Sequence, residues 1–373
     1  LSTLDEKIEE IIKGRQYSTP QAEKETNLLA ILRDQCHEMA AHSIHYHLFL
    51  QRLGKPLTEW KSLEDIPPIP VSMFKHYRLT TIPQEKIIRE LTSSGTSGQQ
   101  PSRIFIDKIT GFRQTRALVS VLKEHLGGKR RPLLVIDSIE AAGTSDSFSA
   151  RSAGIRGVAN FANETVYALK SMANGALEPQ WDIIENFFAK LQGDSEVLLF
   201  GFTFMVWTSF LTLAKERGLQ FHAPNAILLH SGGWKKLQNQ SVSKETFANT
   251  VSEVLGCPSS HVLDFYGMAE QLGTVFVDCS AGNKHAPAFA DIFIRKYHTL
   301  REVAIGEEGI IEVLSVIPNS YPGQALITED RGVLLGVDDC PCGAKGIYFR
   351  FTNRVERVEL RGCGDTFAQS REI

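Results

Sequence analysis

The chain has 373 residues, 42% hydrophobic and 22% charged, with a formal net charge of −3. This is the composition of a folded globular protein larger than one small domain, and not that of a disordered chain. The near-neutral balance supplies no basic face, so a nucleic-acid partner is not expected.

Residues 3–53 read as helices. Leu4, Ile8, Ile11 and Ile12 recur at helical spacing, and Leu28, Leu29, Leu32, Met39 and Ala40 repeat the pattern. The first thirteen residues are charged and amphipathic and lack the apolar core of a signal peptide, which points to the cytoplasm. The proline-rich run Ile66-Pro67-Pro68-Ile69-Pro70 cannot be helical and is expected to lie extended over the surface.

From residue 87 strands and helices alternate. Strands are predicted over 87–92, 103–107, 132–137, 196–200, 226–230 and 262–266, and helices over 110–126, 181–191, 204–217 and 244–255. Buried strands separated by helices imply an α/β fold with a largely parallel sheet. The apolar runs are strand-length, far below the ~20 residues that span a bilayer, so no membrane insertion is expected. Beyond residue 272 the helical pattern fades, and strands are predicted over 274–279, 289–296, 309–316 and 324–328, a β-rich part expected to form a distorted barrel. The chain thus divides into a helical segment (1–65), an α/β core (66–272), a β-rich subdomain (273–352) and a short charged hinge and tail (353–373).

Three motifs carry chemistry. In Thr92-Ser93-Ser94-Gly95-Thr96-Ser97-Gly98 a strand enters a loop of glycines and hydroxyls, and another strand leaves it at Arg103. Such a loop can wrap its N–H and hydroxyl groups around a phosphate. No lysine or helix follows, so it is not a Walker A loop, and alone it reads equally as a Ser/Gly hairpin. Tyr266-Gly267-Met268-Ala269-Glu270 lies at the C-terminal end of a predicted strand, where open α/β sheets place ligands. The Glu270 carboxylate suits Mg²⁺, although alone it reads as a solvated turn residue. Asp330, in Thr328-Glu329-Asp330-Arg331-Gly332, is placed at a strand end, where it can accept from ribose hydroxyls or mark a hairpin turn.

In this order and spacing the motifs resemble those of the acyl-adenylate-forming superfamily, over residues 60–362. The resemblance implies an ATP- and Mg²⁺-dependent ligase that converts a carboxylic acid to acyl-AMP and pyrophosphate. It places Ser93, Ser94, Gly95, Thr96, Ser97 and Gly98 around the triphosphate, Tyr266, Gly267, Gly232 and Gly233 by the adenine, Glu270 on magnesium and Asp330 on the ribose. Arg103 matches the basic residue that steadies the crowded negative charge. Arg354 matches the basic residue before the hinge, in a stretch that departs from the usual Gly-Arg-x-Asp-Asp. After that hinge a short tail is expected in place of the superfamily's further domain with its catalytic lysine.

A closer resemblance is to the LuxE-type acyl-protein synthetases. It rests on overall length, on the segment from Ile66 to Lys75, on Gly232-Gly233-Trp234-Lys235 and on Lys284-His285-Ala286-Pro287. It implies that Cys363, within Gly362-Cys363-Gly364, takes the acyl group as a thioester. It further implies a fatty acyl substrate, an acyl donor protein and delivery to an acyl reductase subunit. From the residues, Cys363 reads as a tail cysteine beside Arg361, whose charge favours the thiolate, and the nine residues from Arg354 reach about 30 Å when extended. The alternatives are an acyl- or aryl-CoA ligase of the phenylacetate-CoA ligase type and a non-catalytic nucleotide-binding scaffold.

In a cytoplasmic chain Cys36, Cys257, Cys279, Cys340, Cys342 and Cys363 are expected as thiols. Cys340-Pro341-Cys342-Gly343 suits a turn presenting two thiolates, and with Cys279 and His285 it would complete a structural Zn²⁺ site. Packed small apolar cysteines, with His285 serving the active site, are the competing reading.

Overall fold

The computed structural model describes residues 3–52, 56–92, 101–143, 149–193, 195–234 and 241–355. The predicted phosphate loop Ser93–Gly98 and the predicted acceptor Cys363 lie outside the described residues.

Six strands form one sheet in the order Val275–Val277, Val262–Gly267, Ala226–Ser231, Val197–Phe202, Arg131–Ile136, Ala162–Tyr167. All pair in parallel except the edge strand Val275–Val277, which is antiparallel to its neighbour. Strand Val197–Phe202 and residues 132–136 of its neighbour are apolar throughout because both faces are covered. Leu133, Val135, Leu198 and Phe200 enter one core, while Leu134, Ile136, Val197 and Leu199 enter another. Helices Lys108–Leu126 and Ala150–Val158 supply residues to the first core, and Trp181–Ala189 and Lys244–Leu255 to the second. Three of these helices begin on side-chain caps: Asp107 accepts from the Thr110 N–H at 2.7 Å, Ser149 from the Ser152 N–H at 3.2 Å, and Ser243 from the Thr246 N–H at 3.0 Å.

The β-rich part is a second sheet rather than a barrel. Its order is Lys284–His285, Ile347–Arg354, Ala325–Val337, Glu308–Ser315, Ala290–Arg295, and these main partners are antiparallel. The proline-rich run is also not a surface connector. Ile66 and Ile69 are buried, and Ile69–Pro70 pairs in parallel with Leu326 and Ile327 of the long strand. Proline is tolerated there because the run lies at a sheet edge.

The predicted helix over 204–217 is interrupted. A π-helical stretch, Trp207–Leu211, separates Thr203–Val206 from Thr212–Glu216. The span between residues 139 and 180 had no sequence assignment. It holds the helix Ala150–Val158 and strands Ala162–Tyr167, Leu169–Ser171 and Leu177–Pro179.

The N-terminal helices Thr3–Lys13, Gln21–His42 and Ile44–Arg52 pack onto this frame. Ile8, Ile12, Leu28 and Leu32 share a core with Leu122, Val316 and Ile317. A third core, which includes Tyr266, Phe276, Ile292, Ile311 and Phe349, joins the two sheets. An isolated bridge between Asp278 and Lys284 marks the same seam.

Candidate active site at the seam between the sheets

The parallel strand Val262–Gly267 ends at the seam and delivers two predicted site residues. Tyr266 is buried, with its ring stacked on Phe351 at 5.3 Å. Its hydroxyl donates to Asp330 Oδ2 at 2.9 Å, across to the other sheet. Asp330 is not at a strand end or in a turn. It lies within the long strand Ala325–Val337, where pairing with Ile347–Arg354 shifts register between Asp330 and Gly332. That irregularity re-aims side chains, as bulges do beside functional sites. Arg354 Nε donates to Asp330 Oδ1 at 3.2 Å, so each carboxylate oxygen has one partner and keeps acceptor capacity.

Burial raises the Asp330 carboxyl above its usual range, offset in part by the Arg354 charge and the Tyr266 hydroxyl. Burial, with Asp330 beside it, holds the Tyr266 hydroxyl well above a normal phenol. Tyr266, Asp330 and Arg354 therefore form one charge-coupled cluster.

Glu270 follows the strand in a short 3₁₀ turn, Ala269–Gln271, and is buried. Burial raises its carboxyl above 4.5, opposed by a hydrogen bond with Ser102 and by the charges of Lys75 and Arg354. It makes no ion pair among the described residues. A buried carboxylate with only distant cations is the donor a hard divalent ion would favour.

Sequence reasoning missed two of its neighbours. Ser102, just before the strand Arg103–Ile106, is fully buried. Lys75 sits at the end of the helix Met73–His76, with Nζ 3.7 Å from Glu329 Oε2. The signal for Lys75 was present, since it closes the segment from Ile66 that resembles the acyl-protein synthetases. Its role depends on that segment pairing with the long strand beside Asp330, a non-local contact.

Arg103 is paired with an acidic residue. Its guanidinium makes two bonds to Glu90 on the facing strand, Nε to Oε1 at 2.6 Å and Nη2 to Oε2 at 3.1 Å. Strands Arg89–Thr92 and Arg103–Ile106 pair Thr92 with Arg103, so the strands expected before and after residues 93–102 are present and antiparallel. Gly232, in the left-handed region at φ +77°, turns the chain after Ala226–Ser231. A Cβ there would come within 3.1 Å of the Phe202 ring, so Gly232 and Gly233 leave the end of the sheet open beside an aromatic group.

The sequence profile of a family described as acyl-protein synthetase, LuxE, matches residues 5–371. The chain belongs to the LuxE acyl-protein synthetase family. Two relatives are both named long-chain-fatty-acid–luciferin-component ligase. The Vibrio harveyi protein is 24% identical over 88% of this chain and 86% of its own length. The Aliivibrio fischeri protein is 22% identical over 82% and 79%. An open conformation of 2-hydroxyisobutyryl-CoA ligase, solved with 2-HIB-AMP and CoA, shares the fold with a TM-score of 0.67 and 17% identity, covering 91% of this chain and 77% of that one. The post-adenylation form of that ligase matches with a TM-score of 0.68 and 17% identity, over 91% and 69%. This LuxE-family chain is accordingly a ligase with the adenylate-forming α/β fold, as its motifs implied. Among the described residues no helix is long and apolar enough to cross a membrane.

The metal-type residues predicted by sequence also meet at the seam. Cys279, His285, Cys340 and Cys342 bring their donor atoms within 4.8 Å of one another. Cys36 and Cys257 are buried elsewhere as free thiols, and burial raises both, to about 12 and about 11.

Proposed function

We propose that the chain activates a fatty acid with ATP and then carries the acyl group on Cys363. In the first step a carboxylate oxygen attacks the α-phosphorus of ATP and pyrophosphate leaves. In the second the Cys363 thiolate attacks the acyl carbon, and AMP leaves as the thioester forms. The thioester then passes to an acyl reductase subunit, with an acyl donor protein as the source of the chain. The fatty acid is supported by the relatives' names, and the acceptor by a family match that extends past residue 363.

The observation that carries this reading is the cross-sheet contact of Tyr266 and Arg354 with Asp330, with the Arg354 charge also acting on the buried Glu270. Asp330 binds the ribose hydroxyls with its remaining lone pairs. Gly232, Gly233 and Gly267 leave the strand ends open to adenine next to Tyr266. Ser93 to Gly98 enclose the polyphosphate.

Mg²⁺ suits Glu270, and when bound it neutralises charge on the phosphates. Ser102, hydrogen-bonded to Glu270, would hold the carboxylate that binds that ion. Lys75 supplies the protein's own cation near Glu270 and Asp330. It takes the part the sequence suggested for Arg103, which Glu90 holds in this structure. Two anions must meet here, so positioned positive charge is what lowers the barrier.

The test uses radiolabelled fatty acid with ATP. Wild type is expected to acquire a hydroxylamine-labile protein label. Cys363→Ala is expected to keep ATP–pyrophosphate exchange and lose that label. Stable labelling of Cys363→Ala removes Cys363 as acceptor, and acyl-CoA release on adding coenzyme A assigns the CoA-ligase alternative.

A further inference from the structure

The cysteine–histidine cluster takes no part in the reaction above, and its geometry is specific. Cys279 Sγ stands 3.9 Å from Cys340 Sγ, and His285 Nε2 stands 3.3 Å from Cys342 Sγ. Around a tetrahedral zinc, with Zn–S of ~2.3 Å and Zn–N of ~2.0–2.1 Å, neighbouring donors lie about 3.5–3.8 Å apart. A disulfide would bring the sulfurs to ~2.05 Å. Packed thiols alone would not require an imidazole nitrogen aimed at sulfur.

Two tight turns present the sulfurs. In Cys340-Pro341-Cys342-Gly343 the Gly343 N–H donates to the Cys340 carbonyl at 2.9 Å, with Gly343 at φ +85°. In the turn after Cys279 the Gly282 N–H donates to the Cys279 carbonyl at 2.8 Å, and the Cys279 N–H to the Asn283 carbonyl at 2.8 Å. N–H groups also point at sulfur: Asn283 Nδ2 lies 3.4 Å from Cys340 Sγ, and the Ala344 N–H 3.4 Å from Cys342 Sγ. Such donors favour charged thiolates and orient them for a metal. His285 is buried and set by aromatic rings, stacked on Tyr348 at 5.5 Å and edge-on to Tyr17 at 6.0 Å.

The four donors come from both sheets. Cys279 follows the parallel sheet's edge strand Val275–Val277. His285 lies on the edge strand of the antiparallel sheet, and Cys340 and Cys342 lie in the connection from Ala325–Val337 to Ile347–Arg354. We propose that Cys279, His285, Cys340 and Cys342 bind one structural Zn²⁺ that latches the two sheets together. Three thiols release their protons to solvent as their sulfurs bind, and neutral His285 ligates through Nε2. The latched strands, or their immediate neighbours, carry Tyr266, Asp330 and Arg354, so the ion fixes the seam on which the cleft is built. This inference does not depend on which group accepts the acyl chain.

The test measures metal in the full chain purified without chelator. One zinc per chain is expected in wild type and in Cys257→Ser, whose buried thiol lies outside the cluster. Less than a tenth of that is expected in Cys340→Ser and Cys342→Ser. Cobalt-loaded wild type is expected to show the intense visible bands of a tetrahedral thiolate site. Wild type that holds no stoichiometric zinc and takes up no cobalt overturns the site. Tyr348→Leu keeps all four ligands and is expected to weaken zinc affinity about tenfold, as loss of an orienting group does. For the latch, zinc removal is expected to lower Tm and to speed amide exchange in residues 275–277 and 347–354 more than in 131–136 and 197–202. Zinc bound stoichiometrically, with neither change on its removal, overturns the latch.

Discussion

The seam between the two sheets carries two polar clusters of opposite build. In the carboxylate cluster, Asp330 divides its oxygens between a buried tyrosine and the largely exposed Arg354, while Glu270 is buried without an ion pair among the described residues. At the cysteine end four soft donors face one another, backed by N–H groups and rings. The first cluster has spare acceptors, partial exposure and a carboxylate that burial disfavours. That arrangement suits a ligand that arrives and leaves. The second is closed, which suits an ion that stays. Local stability is expected to be sacrificed only at the cleft, where function requires it.

The largest effect expected from this contrast is at Glu270. Glu270→Gln is expected to lower acid-dependent pyrophosphate exchange by about 10²–10³-fold, the scale for removing one key electrostatic group. The same change should stabilise the nucleotide-free chain at neutral pH. The folded carboxyl titrates above its usual 4.5, so the folded state binds the proton more tightly than the unfolded chain. The stability from this group is complete below that value and is lost as pH rises through the folded pKa. Melting curves of wild type and Glu270→Gln should therefore separate at pH 8 and converge at low pH. A variant less stable than wild type at pH 8 would make the cleft as structural as the cysteine end.

Lys75→Ala comes next. Loss of one charge-assisted contact of about 1.5–3 kcal/mol corresponds to a ten- to hundredfold fall in kcat/KM for ATP. Its partner Glu329 is partly exposed, so Tm should hardly move. Tyr266→Phe removes the cross-sheet hydroxyl and is expected to raise the KM for ATP by roughly tenfold or less. Arg103→Ala is expected to be smallest, because both Glu90 oxygens already hold the guanidinium. A loss equal to that of Lys75→Ala would show that Arg103 leaves Glu90 for phosphate, and would return the catalytic charge to the residue the sequence first suggested.

Legibility in the sequence followed the range of the interactions. The parallel strands stood out because burial on two faces makes them apolar without interruption, as in Leu133-Leu134-Val135-Ile136. Tyr266, Glu270 and Asp330 stood out because their motifs are short and local. What was missed depended on distant partners. Ile66–Pro70 looked like a surface linker until its pairing with Leu326 and Ile327 was seen. That pairing brings Lys75 to the cleft. Asp330 was expected at a strand end because a register shift inside a thirteen-residue strand leaves no local signature. The strands over 162–179 escaped because exposed Glu164, Lys170 and Glu178 interrupt their apolar pattern. The four-residue cysteine–histidine set was legible by type, and its convergence was a matter of fold.

Isotope exchange between pyrophosphate and ATP measures directly whether the carboxylate cluster at the seam makes an acyl-adenylate. With fatty acids of graded length, the zinc-replete wild-type chain is predicted to exchange only when acid is present, and Glu270→Gln to fall near background. Nucleotide binding without exchange for any acid, or exchange indifferent to the acid and to Glu270, would contradict the account.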